Sequence, residues 1–323
     1  MCSDQPDEPD HVSPATVRPG HPPDRLDLDR LALSRHALDR ASDRRRDDSW
    51  WAGVLADQRT RYLLVAAGRF PVARTAGGVR LAWTDRPPAD ADRFLLGVDD
   101  TGRAHVAVPV AEPGPDWGHL RDLGGELDDL DAGAATHAVA LVAWHSAETH
   151  STSTGRPTTP AHAGAVRVDD DGREAYPRTD PAMIVLVHHG ELHAPDSRAL
   201  LGHQRVWPEH RFSCLAGFVE AGESLEQSVA REVAEESGVR VEAIRYAGSQ
   251  PWPFPRSLML GFTARAVSTE TRPDGEEITE LRWFTRQQMR AEIDAGTLRL
   301  PGRVSIARRL IEGWYGGELP GDW

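Results

Sequence analysis

The densest chemistry in this chain lies in GFVEAGESLEQSVAREVAEESGV, Gly217–Val239. Glu232, Glu235 and Glu236 are related by steps of three and four, so on a helix they gather on one face. Leu225, Val229 and Val233, spaced by four, form a separate apolar stripe that needs a core to cover it. Arg231 stands one turn before Glu235 and can pair with it. Like charges at these spacings repel by about 0.2–0.5 kcal/mol per pair; a divalent cation reverses that sign. Several carboxylates on one face suit Mg²⁺ or Mn²⁺, ions commonly held together with substrate phosphates. A solvated acidic face braced by an ion pair is the bland alternative for the same residues.

A second unusual stretch follows, SQPWPFPRS, Ser249–Ser257, in which Pro251, Pro253 and Pro255 alternate with Trp252 and Phe254. Three prolines delete three backbone donors, which excludes a central strand. They also fix φ, placing two rings on a stiff support suited to stacking a flat heterocycle, a contact worth about 1–3 kcal/mol per base. A core corner or an exposed polyproline ligand would use the same residues differently.

The spacing in the first stretch reads G-x5-E-x7-R-E-U-x-E-E-x-G-U, with U aliphatic, filled by Gly217, Glu223, Arg231, Glu232, Val233, Glu235, Glu236, Gly238 and Val239. It resembles the Nudix hydrolase signature without a departure. The resemblance implies a loop–helix–loop carrying metal ions that bridge a diphosphate. It makes Glu232 and Glu236 the principal ligands, Glu235 a further ligand or helper, Glu223 a loop-shaping residue and Arg231 an orienting one.

With SQPWPFPRS downstream, and with YPRTDP, LAGFVEAGE and ARRLIE, the chain resembles the NADH pyrophosphatases, the NudC-like Nudix hydrolases also known as NAD-capped RNA hydrolases. The likeness covers nearly the last half of the chain. It implies cleavage of the central diphosphate of NAD(H) to NMN(H) and AMP, and removal of a 5′ NAD cap from RNA. It further implies that Gln250, Pro251, Trp252, Pro253, Phe254, Pro255, Arg256 and Ser257 contact substrate and that Phe218 stacks on nicotinamide. Tyr176 would reach a site across a homodimer interface. Ala216 would bind metal through its carbonyl, and Glu277 from outside the motif, with Glu276 as the neighbouring register. Ala307 would touch substrate, and Arg121, in HLRDL, corresponds to an N-terminal substrate arginine. A broader hydrolase of ADP-ribose or diadenosine polyphosphates is the alternative within enzymes. A non-catalytic NAD-sensing module is the alternative outside them, and it predicts a decayed acidic box, whereas this one is intact.

The family often carries a four-cysteine zinc ribbon between two domains. The corresponding places here are Ser151, Thr154, Val168 and Asp171. Hydroxyls are poor zinc ligands and valine is none, so no structural zinc is expected. A mixed site built on His145, His150 or His162 is the alternative.

These residues need a scaffold. Apolar runs from 182 onward alternate between strand and helix patterns, predicting a mixed sheet between helices, in accord with the Nudix α/β/α sandwich that the resemblance implies. The reading is α/β (α+β): a disordered tail (1–25), a smaller mainly β N-terminal domain (26–146) closed by a helix over DDLDAGAATHAVALVAWHSA, a degenerate zinc-ribbon-like connector (147–178) and the Nudix domain (179–317). The chain has 323 residues, two cysteines and a net charge of −13, and its basic residues are all arginine. That balance opposes broad, sequence-independent nucleic-acid binding. The cysteine count excludes a disulfide framework, Cys214 reads as a buried inert thiol, and a cytoplasmic setting fits.

Overall fold

The computed structural model describes residue 26, residue 28 and residues 30–321. The expected tail 1–25 therefore lies outside the described residues.

The N-terminal domain runs α1 (Asp48–Ala56), β1 (Arg61–Val65), β2 (Arg69–Thr75), β3 (Gly78–Leu81), β4 (Phe94–Val98), β5 (Ala104–Pro109), β6 (Trp117–His119), α2 (Leu120–Leu123) and α3 (Asp129–Ala147). Its strands form two three-stranded sheets, β1-β5-β4 and β3-β2-β6, with β1 parallel to β5. The Ala-rich face of α3 packs on both sheets: Ala135, Ala138 and Leu141 meet Leu63, Phe94 and Phe70 in one core. Trp51, Val54 and Leu55 of α1 cover Tyr62, Val106 and Val108 on the other face of β1-β5-β4. So the expected mainly β domain is a small sheet sandwiched by helices. The sequence reading missed α1 because none of its nine residues is fully buried, which leaves only a weak apolar pattern.

The connector holds a small antiparallel sheet, β7 (Thr159–Ala161), β8 (Val166–Val168) and β9 (Glu174–Ala175). The Ser151 hydroxyl bonds Ser153 and the Thr154 amide, Val168 lies in β8, and Asp171 pairs with Arg156 at 2.6 Å. His145 is committed to the Gly164 carbonyl (2.8 Å) and to Arg167 (3.0 Å). Hydroxyls, a valine and a paired aspartate do not make a zinc donor set.

The C-terminal domain comprises β10 (Asp180–His189), β11 (Arg198–Gln204), β12 (Leu215–Phe218), α4 (Leu225–Ser237), β13 (Val241–Trp252), β14 (Ser257–Ala266), β15 (Ile278–Thr285), α5 (Arg286–Asp294) and α6 (Ile306–Tyr315). The sheet order is β13-β14-β10-β11-β15, with β12 paired to β10. Only β10 and β14 run parallel among these pairs, so the sheet is mixed. The two-residue period of β10 sorts its side chains. Met183, Val185 and Val187 join Val229 and Val233 of α4, while Ile184 and Leu186 join Leu310, Ile311 and Trp314 of α6. Helices on both faces of a mixed sheet complete the expected α/β/α sandwich. No helix of the described residues is long and apolar enough to cross a membrane.

A strap before α1 binds the two domains together. The Leu28 amide bonds the Ala247 carbonyl, the Ser34 hydroxyl bonds the Ser249 carbonyl (2.8 Å), and the Leu33 amide meets the Gln250 side chain (3.4 Å).

Candidate active site

Helix α4 begins with a reciprocal cap. The Ser224 hydroxyl accepts from the Gln227 amide, and the Gln227 side chain accepts from the Ser224 amide, which satisfies two of the free donors at the helix start. Gly238 ends it at φ 69°, a left-handed conformation that glycine adopts at little cost. With Val229 and Val233 buried below, the glutamates take the flank facing β12.

Arg231 is the hub of this flank. Its guanidinium donates to Glu223 (2.7 and 2.9 Å), to Glu235 (3.0 Å) and to the Phe218 carbonyl (3.0 Å), and pairs with Glu232 (2.9 Å). Glu223 also accepts from the Glu220 amide (3.0 Å), so it closes the loop before α4. The Arg231 hydrogen bonds, and then that amide, hold the Glu223 carboxyl down at about 2.

Glu236 is the opposite case. It is 4% exposed, and its Oε2 has no hydrogen-bond partner. Burial, then the charges of Glu277, Glu232 and Asp274, push its carboxyl up to about 9, against a counteracting backbone hydrogen bond from Ala216. Burial raises Glu232 as well, offset by Arg231. The approach of strand and helix is tight: a Cβ at Gly217 would overlap the Glu232 carboxylate, so any other residue there would push that carboxylate aside. Glu235 is 60% exposed on the rim.

Glu277 sits on the loop before β15, where it accepts from Gln204 (2.7 Å). Its charge bears on both Glu232 and Glu236. Glu276 exerts no such effect, so of the two registers read from sequence, 277 faces the ridge. Two participants were missed in the sequence. Asp274 gathers the amides of Glu276, Glu277 and Ile278 with one oxygen (2.7–3.0 Å), and Gln204 steadies Glu277. The Asp-Gly turn in PDGEE was the available signal for Asp274.

The donors are carboxylate and carbonyl oxygens, one of them buried and unpartnered, which fits a hard divalent cation. Among the described residues no three acidic or imidazole groups converge on one point as folded. Glu232 and Glu235 are each turned with one oxygen toward Arg231.

The remaining expected contacts divide into two groups. Phe218, at the end of β12, is 59% exposed, and Tyr176, at 63%, bonds Glu174. Both rings are open to a partner or ligand. Arg256 pairs with Asp180 (2.8 Å) and Glu148 (3.5 Å), and Ser257 starts β14. Gln250 and Ala307, by contrast, are buried. Gln250 donates to the Val304 carbonyl (2.9 Å) and receives the Leu33 amide, while Ala307, in the first turn of α6, faces the core. Neither side chain faces an opening in this conformation.

The proline segment is a hairpin end, Trp252 pairing with Ser257 across a turn that holds a cis Phe254–Pro255 peptide. Strand β13 is an edge strand, so Pro251 leaves no central ladder bond unmade. The two rings pack on the N-terminal core, edge to face with centroids 5.0 Å apart. The Arg121 guanidinium lies over both, 5.4 Å from Trp252 and 4.8 Å from Phe254, and His119 stacks on Phe254 at 5.4 Å. The N-terminal domain and Arg121 thus already lie against these rings, both of which stay partly exposed. Arg121 reaches the hairpin rather than an open cleft.

Comparison with known proteins agrees with this geometry. Residues 178–301 match the NUDIX domain, and residues 52–144 match the NADH pyrophosphatase-like rudimentary NUDIX domain. The chain is 44% identical over 312 residues to the "NAD-capped RNA hydrolase NudC" of Mycobacterium bovis (strain BCG / Pasteur 1173P2), covering 88% of this chain and 95% of that one. The chain belongs to the NudC-like Nudix hydrolases. Another relative of that name, from Mycobacterium tuberculosis (strain ATCC 25618 / H37Rv), gives the same identity and coverage. The human "NAD-capped RNA hydrolase NUDT12" is 38% identical over 201 residues, 58% of this chain and 43% of that protein. As a NudC-like chain it carries a second, rudimentary Nudix unit, which accounts for the helix-flanked sheet of the N-terminal domain.

Proposed function

We propose that this chain hydrolyses the central diphosphate of NAD(H) to NMN(H) and AMP, and removes the NAD cap from RNA 5′ ends. The observation that carries the reading is the buried Glu236 carboxylate, with its unpartnered oxygen facing Glu232 and Glu277. It sits in a chain resembling NAD-capped RNA hydrolases over 88% of its length. Glu232, Glu235, Glu236 and Glu277, with the Ala216 carbonyl, would hold Mg²⁺ or Mn²⁺. Such an ion, when bound, lowers the pKa of a water and neutralises charge growing on phosphate oxygens.

The chain's own groups supply the rest. Arg231 holds Glu223, Glu232 and Glu235 in one array. Phe218 offers an open ring beside the ridge for the nicotinamide. Tyr176, Arg256 and Ser257 line the substrate's approach, with Tyr176 acting across a homodimer interface. Pro251, Pro253 and Pro255 keep the hairpin carrying Trp252 and Phe254 rigid.

Product analysis tests the reading. NADH and an NAD-capped RNA are each incubated with Mg²⁺ or Mn²⁺ and with EDTA. NMNH plus AMP from the first, and a 5′-monophosphate RNA plus NMN from the second, are expected only with metal. Turnover of ADP-ribose in preference to both would overturn the assignment.

A further inference from the structure

The hairpin has a second face. Side chains alternate along an extended segment, so while Trp252 and Phe254 turn into the N-terminal core, Pro251, Pro253 and Pro255 wall a cavity of ≈ 400 Å³ between the two domains. The acidic ridge does not line it. Its other walls are the strap around Leu33–Arg40, one face of α3, the segment Pro177–Thr179 and, beyond the prolines, Arg256–Leu258, so it adjoins the proposed approach of the substrate.

Three features mark it as more than a packing gap. First, its volume is in the range of small-molecule sites, about 300–1,000 Å³. The walls between the prolines, Leu141 and Trp144 are apolar and suit a flat base. Second, the Thr136 side chain lines the cavity and is 6% exposed, yet its hydroxyl has no partner. A buried hydroxyl left unpaired is costly unless a ligand supplies the partner. Third, one end carries two arginines in a chain of net charge −13. Arg40 lines this cavity and a smaller one that opens toward Tyr176 and is also lined by Arg45. Among the described residues neither arginine has a carboxylate partner. Arg40 meets His137 Nε2 at 3.4 Å, and His137 Nδ1 meets the Leu96 carbonyl at 3.3 Å. With Nδ1 donating, Nε2 accepts and the ring is neutral. Burial, then Arg40, push His137 down to about 3, consistent with that form. Burial and then the Arg45 charge also lower Arg40. Two neighbouring guanidiniums without a carboxylate partner, Arg40 exposed and Arg45 half-buried, suit an anion of about two charges, which a phosphate monoester supplies.

We propose that this interdomain cavity binds a nucleoside 5′-monophosphate, its base between the hairpin prolines and α3 and its phosphate between Arg40 and Arg45. The choice of AMP as probe rests on the proposed reaction, which releases it, and the cavity shares Arg256 and Ser257 with the proposed substrate approach; binding measured without metal reads the cavity apart from turnover. A ligand seated there would press on the reverse of the hairpin whose aromatic face Arg121 holds.

The test is isothermal titration of the full chain in EDTA, where hydrolysis cannot proceed. AMP is expected to bind, with adenosine and inorganic phosphate each at least about tenfold weaker. The Arg40→Gln/Arg45→Gln variant should lose at least about tenfold in AMP affinity, and Thr136→Val should lose a smaller factor, both with wild-type melting temperature. If the double variant does not fold, Thr136→Val and Arg40→Gln alone decide. Absent AMP binding, binding indifferent to these substitutions, or adenosine binding as well as AMP would overturn the proposal. A 5′-phosphorylated RNA decamer binding far more tightly than AMP, with the same sensitivity to Arg40, would overturn the small-molecule occupant in favour of a nucleic-acid strand.

Discussion

Glu236→Gln should abolish catalysis and, without metal, stabilise the fold. The carboxyl has an ordinary value of 4.5 and is pushed up to about 9. Between those values the folded chain keeps a proton that the unfolded chain has released. Stability is therefore fully present below the lower value and falls as pH rises through the window. From pH 5 to pH 8 is about three units at ~1.4 kcal/mol each, an upper limit of about 4 kcal/mol. Glu277 is exposed and screened by water, and Arg231 partly offsets Glu232, so about 2 kcal/mol is expected. Glutamine keeps the acceptor for the Ala216 amide and offers a donor to its acidic neighbours without having to hold a proton. Urea unfolding in EDTA, followed by tryptophan fluorescence between pH 5 and 8.5, measures the difference. The two proteins should match near pH 5 and diverge by ~2 kcal/mol at pH 8, the variant the more stable. Turnover of NADH with Mn²⁺ should drop more than about a hundredfold, since merely losing a group that supports a metal ligand costs about 10–100-fold. Parallel pH curves, or a variant less stable at pH 8, would refute the argument that burial and neighbouring charge hold a proton on this carboxyl.

Further outcomes follow from the same contacts. Gly217→Ala should cut NADH turnover sharply while circular dichroism stays native, because the new methyl displaces the Glu232 carboxylate. Arg121→Ala removes a cation from two rings and should cost about 1 kcal/mol in urea unfolding and raise KM more than it lowers kcat; unchanged values for both would dissociate Arg121 from the hairpin. Gln250→Leu should destabilise by about 1–3 kcal/mol, because the Leu33 amide and Val304 carbonyl lose their buried partner. A stability loss without a KM change would mark Gln250 as a strap anchor.

The C-terminal half was legible because several levels agree there. In α4 the cap, the apolar stripe, the glutamate spacing and the terminal glycine all specify one helix. Strand β10 was equally plain, being apolar on both faces. The N-terminal helix α1 was not legible, since its tryptophans are only half-buried. The direction of the Trp252 and Phe254 rings was hidden for another reason. Rigidity is local and readable, whereas what covers a ring is decided by residues more than 130 positions away, His119 and Arg121. The burial of Gln250 was hidden for the same reason, its partner Leu33 being 217 residues distant. The acidic residue Asp274 acts through backbone amides of a turn, a role that leaves no periodic trace.

The strap from Leu28 to Ser34 has a consequence for the history of the chain. The first half of the chain acts as a clamp on its neighbour's longest hairpin, and a C-terminal fragment begun at residue 178 would bare two aromatic rings and take the Leu33 amide from the Gln250 side chain. The catalytic half is thus not portable. Grafted elsewhere it would need a surrogate for its silent companion, so descent should preserve the two as a single unit however far the first half drifts from any reaction of its own.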